Sequence, residues 1–173
     1  MNKAVFFDRD GVINKDLGYV HEIKDFIWIE GIFNLFKWLE NEGFLIIIVT
    51  NQSGIGRGFY TEEKFQHLNK WILNTIKKNN CTINKIYHCP HLPSDNCSCR
   101  KPKPGMIIKA IKEFNINPKS SWLIGDKISD IEAAKNANIP NTIYFNKTQQ
   151  STINSYHIKS LNEVKLIIKK YNC

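Results

Sequence analysis

The stretch FLIIIVT, residues 44–50, decides the fold of this chain. Six apolar side chains in succession leave no face for water, so a strand built from them is covered on both sides. Such strands belong to parallel sheets sandwiched between helices. Immediately upstream, GIFNLFKWLENEG (31–43) sets Ile32, Leu35, Phe36 and Leu39 at helical spacing and ends on Gly43, a natural helix stop. Downstream, TEEKFQHLNKWILNTIKK (61–78) opens on Thr61 as a cap, with Glu62 and Glu63 in its first turn. Its apolar stripe is Phe65, Leu68, Ile72 and Ile76.

The alternation continues towards both ends. KAVFF (3–7), INKIYHC (83–89), SWLIGD (121–126) and NTIYF (141–145) are predicted strands. PGMIIKAIKEFN (104–115), SDIEAAKNAN (129–138, capped by Ser129 or a neighbour) and SLNEVKLIIKKY (160–171) are predicted helices. NTIYF is expected to close the strand set. The pattern predicts an α/β fold: a Rossmann-like parallel sheet with helices on both faces, and residues 1–173 forming one domain. Ligands bind at the carboxyl ends of such strands. Asp8, Thr50 and Asp126 each stand where an apolar run ends, which converges three polar residues on one site.

The formal charge of +8 admits an anionic partner, but the lysines are scattered and form no basic stripe. The expectation is therefore no nucleic acid; a zinc-scaffolded nucleic-acid module remains a distant alternative. No apolar run approaches the ~20 residues of a membrane span, and the first apolar run is cut at Asp8, unlike a signal peptide. A soluble, cytoplasmic, monomeric protein with no membrane partner is expected. Trp28, Trp38, Trp71 and Trp122 are expected to pack rather than to stack on a ligand; Arg57 is either a substrate contact or a solvated charge.

In KAVFFDRDGVINKD (3–16), Asp8 and Asp10 follow a buried strand with one residue between them. Continued extension would place both on one side, where two carboxylates resist joint ionisation unless one takes a proton or a cation intervenes. Asp126 and Asp130 in GDKISD add further hard oxygen ligands, a set suited to Mg²⁺ bridging to a phosphate. Thr50 and the backbone at Asn51 offer hydrogen bonds, SGIGRG (53–58) is expected as a flexible loop, and Lys101 supplies positive charge. Phosphoryl transfer needs chiefly such positioning and charge stabilisation.

CPHLPSDNCSC (89–99) places Cys89, His91, Cys97 and Cys99 as C-x-H, five residues, then C-x-C. Three thiolates and an imidazole suit a closed tetrahedral Zn²⁺ site, structural because no position is left for water. Free thiols, or His88 in place of His91, are the alternatives. A zinc-binding loop at about 88–100 would fix Arg100 and Lys101, which follow Cys99 directly. Left unfixed, such a loop costs roughly 1–2 kcal/mol per residue to order.

FFDRDGVIN, VTNQSG, RKPKPGM and GDKISDIEAA, in that order, resemble the four motifs of the haloacid dehalogenase-like phosphatases. DLGYVHEIKDF, NQSGIGRGFYTEEKF and CPHLPSDNCSCRKPKPGM together resemble the heptose 1,7-bisphosphate 7-phosphatase family within them, with the histidinol-phosphate phosphatases sharing much of the pattern. The resemblance implies a minimal cap, Asp8 as nucleophile, Asp10 as general acid and base, and Thr50 and Lys101 holding the phosphoryl group. It implies Mg²⁺ on Asp8, the backbone carbonyl of Asp10, and Asp126, with Lys127 or Asp130 in support. It further implies that Asp16, Leu17, Gly18, Tyr19, Asn51, Gln52, Ser53, Arg100 and Lys127 meet a small phosphosugar substrate. The implied reaction removes the 7-phosphate of a heptose 1,7-bisphosphate through an aspartyl-phosphate, on the route to ADP- or GDP-heptose and lipopolysaccharide. Histidinol-phosphate hydrolysis is the enzymatic alternative.

Overall fold

A computed structural model describes residues 1–146 and 154–171. Six parallel strands form one sheet: β1 (Lys3–Phe7), β2 (Phe44–Asn51), β3 (Lys85–Cys89), β4 (Trp122–Gly125), β5 (Asn141–Phe145) and β6 (Tyr156–Ile158). Their order is β3-β2-β1-β4-β5-β6, which puts β1 in the interior with β2 and β4 as neighbours. The expectation that the strand set ends at Phe145 was wrong. Tyr156–Ile158 adds a short edge strand, too brief and too polar on one side to stand out as an apolar run.

The all-apolar strands fill two cores by simple alternation. Val5 and Phe7 of β1, with Ile46 and Ile48 of β2, face one layer, built from α1 (Ile32–Asn41), α3 (Glu62–Lys78) and α6 (Asn162–Tyr171). Ala4 and Phe6, with Ile47 and Val49, face the other, built from α4 (Gly105–Glu113) and α5 (Ile128–Asn136). Phe36 of α1 meets Phe7 edge-to-face at 5.2 Å. Trp122 is buried and Trp28, Trp38 and Trp71 pack against the same core, as expected of packing residues.

Thr61 caps α3 as expected, its Oγ1 accepting the Lys64 backbone N–H at 3.3 Å. One local expectation needed correction. Residues 53–58 are not a loose loop: Ser53–Gly56 form the helical turn α2, with Gly54 buried so closely under the Tyr60 ring that a Cβ would overlap it. Of Ser129 and its neighbour, it is the neighbour Asp130 that closes the start of α5, its Oδ2 accepting the Lys127 backbone N–H at 3.0 Å. Between β1 and α1 the described chain carries only turns and a 3₁₀ segment, Ile23–Asp25, so the cap is minimal. No described helix is long and apolar enough to cross a membrane.

Candidate active site

Three adjacent strands deliver the polar residues to one end of the sheet. Asp8 follows β1, and its N–H donates to Ile124 O of β4 at 3.0 Å. Thr50 is the penultimate residue of β2 and Asp126 follows β4. Lys101 arrives from the loop after β3, fully buried, with Nζ 2.8 Å from Asp8 Oδ1, 2.6 Å from Asp130 Oδ1 and 2.8 Å from Val49 O. Asp8 Oδ1 and Val49 O accept its hydrogen bonds, and Asp130 pairs with it by charge. Burial opposes charge on Lys101, but Asp130 and Asp8 outweigh it and raise its pKa. Burial likewise raises Asp8, opposed by Lys101 and reinforced by Asp130.

Oxygens of Asp8, Asp126 and Asp130 lie within 4.8 Å of one another. Asp126 Oδ1 is buried without a hydrogen-bond partner, and burial, then the charge of Asp8, pushes this carboxyl up to about 8. An orphaned carboxylate oxygen beside two more carboxylates is what a hard cation resolves. The donor set therefore fits Mg²⁺. Gly11 (φ +92°) makes the approach possible, since a Cβ there would overlap Asp126 Oδ2.

The expected Asp8–Asp10 repulsion is resolved differently. The strand ends at Phe7, and the chain then wraps, with Ile13 N–H to Arg9 O at 2.8 Å and Gly11 N–H to Asn14 O at 2.7 Å. Alternation does not carry through Asp10, and the two carboxylates find separate partners. Asp10 is gripped by Arg9 Nη2 at 3.0 and 2.9 Å, by Asn14 Nδ2 at 2.9 Å and by Gln52 Nε2 at 2.9 Å. The crowd that calls for a cation is Asp8, Asp126 and Asp130.

Asp10 opens onto a cavity of about 430 Å³. Asp16, Gly18, Tyr19, Ser53, Arg100 and Lys127 line it, and so does Ser129. Lys127 Nζ meets Asp16 Oδ2 at 3.0 Å across its mouth. Partial burial of Asp16 opposes ionisation, but Lys127 outweighs it and holds the carboxyl below its usual range. Leu17 is exposed and lines no part of this cavity, nor does Arg57.

Asn51 and Gln52 border the cavity but turn their amides onto the protein. Asn51 clasps the Lys101 backbone, accepting its N–H at 3.1 Å and donating to its C=O at 3.2 Å. Gln52, only 2% exposed, donates to Asp10 and to Thr50 Oγ1 (2.8 Å) and accepts the Tyr60 hydroxyl at 2.6 Å. Arg9, Asn14 and Tyr60 were not foreseen from the sequence. The available signal was Arg9 itself, a cation between two acids at the end of a buried strand.

The second cluster lies next to the first. Cys89 Sγ is 3.2 Å from Cys99 Sγ and 3.6 Å from Cys97 Sγ; Cys97 and Cys99 are 3.4 Å apart; His91 Nδ1 is 3.2 Å from Cys99 Sγ. Four donors at these separations fit a tetrahedral Zn²⁺ site, for which Zn–S bonds run to about 2.3 Å. The three thiols form no disulfide. His88 is excluded as a ligand, because its Nε2 faces Glu62 Oε1 at 3.0 Å and its ring lies against Phe65. The loop is stitched to the site: Gln52 N–H donates to Cys89 O at 2.8 Å, and Gly56 N–H to Pro90 O at 3.0 Å.

Residues 12–144 match the family model of the haloacid dehalogenase-like hydrolases. The D-glycero-beta-D-manno-heptose-1,7-bisphosphate 7-phosphatase of Pasteurella multocida is 45% identical over 149 residues, 83% of this chain and 81% of that one. The D-glycero-alpha-D-manno-heptose-1,7-bisphosphate 7-phosphatase of Campylobacter jejuni is 45% identical over 162 residues, 94% and 93% of the two chains. This chain belongs to the heptose-1,7-bisphosphate 7-phosphatase family of haloacid dehalogenase-like hydrolases. Its fold agrees with that of a D,D-heptose 1,7-bisphosphate phosphatase from B. bronchiseptica crystallised with magnesium and phosphate: TM-score 0.88 at 23% identity, covering 97% of this chain and 99% of the other. The family's members are phosphate-ester hydrolases, and the chain is a phosphatase by that membership.

Proposed function

We propose that this phosphatase removes the 7-phosphate of D-glycero-D-manno-heptose 1,7-bisphosphate through an aspartyl-phosphate on Asp8. The observation that carries the reading is the buried Asp8 carboxylate, held by Lys101 close to Asp126 and Asp130, with Lys101 itself lining a cavity that Arg100 and Lys127 also line. Relatives named for this substrate, matching more than four-fifths of the chain, support it.

Asp8 attacks phosphorus while Asp10 gives a proton to the departing sugar oxygen; Asp10 then takes a proton from the water that hydrolyses the acyl phosphate. Lys101 orients Asp8 and, with Thr50, stabilises the charge of the transferring phosphoryl group. Asp8, the Asp10 carbonyl and Asp126 would hold Mg²⁺, with Asp130 supporting from behind Lys101. Bound there, the metal supplies positive charge against the oxygens of the phosphoryl group. Arg100 and Lys127 offer cations to the sugar or its remaining phosphate; Asp16, Gly18, Tyr19 and Ser53 contact the sugar. Cys89, His91, Cys97 and Cys99 would hold a structural Zn²⁺, and with it bound they would keep Arg100 and Lys101 in place. We take residues 1–173 as one domain of a monomeric, cytoplasmic enzyme supplying heptose for nucleotide activation.

Rapid acid quench with ³²P-labelled substrate tests the chemistry. The protein should trap label, and Asp8→Asn should trap none and turn nothing over. Parallel kcat/KM values for both heptose bisphosphate anomers and histidinol phosphate test the substrate. A preference for histidinol phosphate would overturn the assignment.

A further inference from the structure

Arg9 is 1% exposed and takes no direct part in the chemistry described above. Its Nη2 bridges two places at once: the Asp10 carboxylate, at 3.0 and 2.9 Å, and the carbonyl of Val20, at 2.6 Å. Nε adds a longer contact to Asp10 Oδ1 at 3.3 Å. Val20 ends the 16–20 segment, which carries Asp16, Gly18 and Tyr19 into the cavity. From the other side Phe65 of α3 lies under the guanidinium, 5.7 Å from ring centroid to Cζ. Nη1 is buried with no partner. A buried guanidinium with an unmatched nitrogen is a poor device for stability, since well-packed apolar groups commonly do as well. Its geometry serves position instead: a planar fork can join a carboxylate to a carbonyl, whereas an ammonium on a flexible stem holds neither direction.

We propose that Arg9 is a positioning residue that locks the Asp10 carboxylate in register with the substrate-facing 16–20 segment, so that the proton donor meets the leaving oxygen of a sugar seated there. This rests on the reading of Asp10 as general acid. In the step concerned the bond from Asp8 oxygen to phosphorus forms, the bond from phosphorus to the sugar oxygen breaks, and the Asp10 proton passes to that oxygen. Arg9 supplies no proton. It fixes the carboxylate that does.

The dependence on leaving group separates this role from a structural one. An alkoxide leaving from a sugar needs the proton; nitrophenolate from p-nitrophenyl phosphate leaves without it. First-turnover rates of transfer to Asp8, by rapid quench, are compared for heptose 1,7-bisphosphate and p-nitrophenyl phosphate in the native protein, Arg9→Lys, Arg9→Gln and Asp10→Asn. Both Arg9 variants should lose about 10²-fold on the sugar phosphate, the scale of a general acid's contribution, and at least about tenfold less on the aryl ester. Asp10→Asn should show the same bias, more strongly. If Asp10→Asn shows the bias and the Arg9 variants lose both substrates equally, or fail to fold as judged by circular dichroism, the positioning role is wrong. If Asp10→Asn itself shows no bias, the general-acid reading beneath it has failed instead.

Discussion

At Gly11 a single hydrogen atom in place of a methyl group admits Asp126 to the proposed metal site, and the φ of +92° is one that side chains rarely adopt. Gly11→Ala is expected to push Asp126 aside, weakening magnesium binding about 10- to 100-fold, the usual range when a ligand's support is removed. A magnesium titration of turnover checks this, and an unchanged half-saturating concentration would refute it. Asn51 makes a second prediction at this scale. Without its clasp on the Lys101 backbone, Asn51→Ala should lower kcat while leaving KM for the bisphosphate nearly as it was; a KM effect alone would restore it to the substrate contacts. These residues also mark what a linear reading misses. Asp8, Thr50 and Asp126 stand out as polar residues at the ends of apolar runs. Asn51 and Gln52 sit in the right motif, but whether an amide faces ligand or backbone depends on the loop that arrives from 50 residues downstream.

Among the elements, the loop from Cys89 to Lys101 has the most to lose. It contains a 3₁₀ turn, Pro93–Asp95, and no strand or longer helix. Hydrogen bonds to β2 and α2 hold it, and the four proposed zinc ligands would supply the rest of its order. Cys97→Ala should release zinc, measurable by elemental analysis, and reduce turnover together with it. A zinc-free variant of unchanged turnover would sever the loop from the chemistry. By contrast α3 tolerates loss of its cap: Thr61→Ala should cost about 1 kcal/mol and leave kcat alone. Elements rich in periodic apolar residues were legible from sequence, as α1, α3 and β2 are. The edge strand β6 was not, because three residues of mixed polarity gain their conformation from pairing with β5. Nor was α2, whose two glycines suggested freedom until Tyr60 and Pro90 closed over them.

For the molecule as a whole, two cores back one sheet, and both set its stability. Phe36→Ala removes the ring packed on Phe7 and should lower unfolding free energy by about 3–5 kcal/mol, read from denaturant melts; a loss under 1 kcal/mol would mean the layer re-closes. The fold class followed from FLIIIVT and its neighbours because alternation of strand and helix admits few architectures. What the linear order conceals is adjacency. The chemistry rests on β1, β2 and β4, contiguous in space although the intervening chain holds β3 and three helices beyond α1. On the roles proposed for Asp8, Lys101 and Asp126, a nascent polypeptide stays inert while its first strands emerge from the ribosome, and an amino-terminal fragment ending before Asp126 is expected to hydrolyse no phosphate ester. Activity would then arise late in translation.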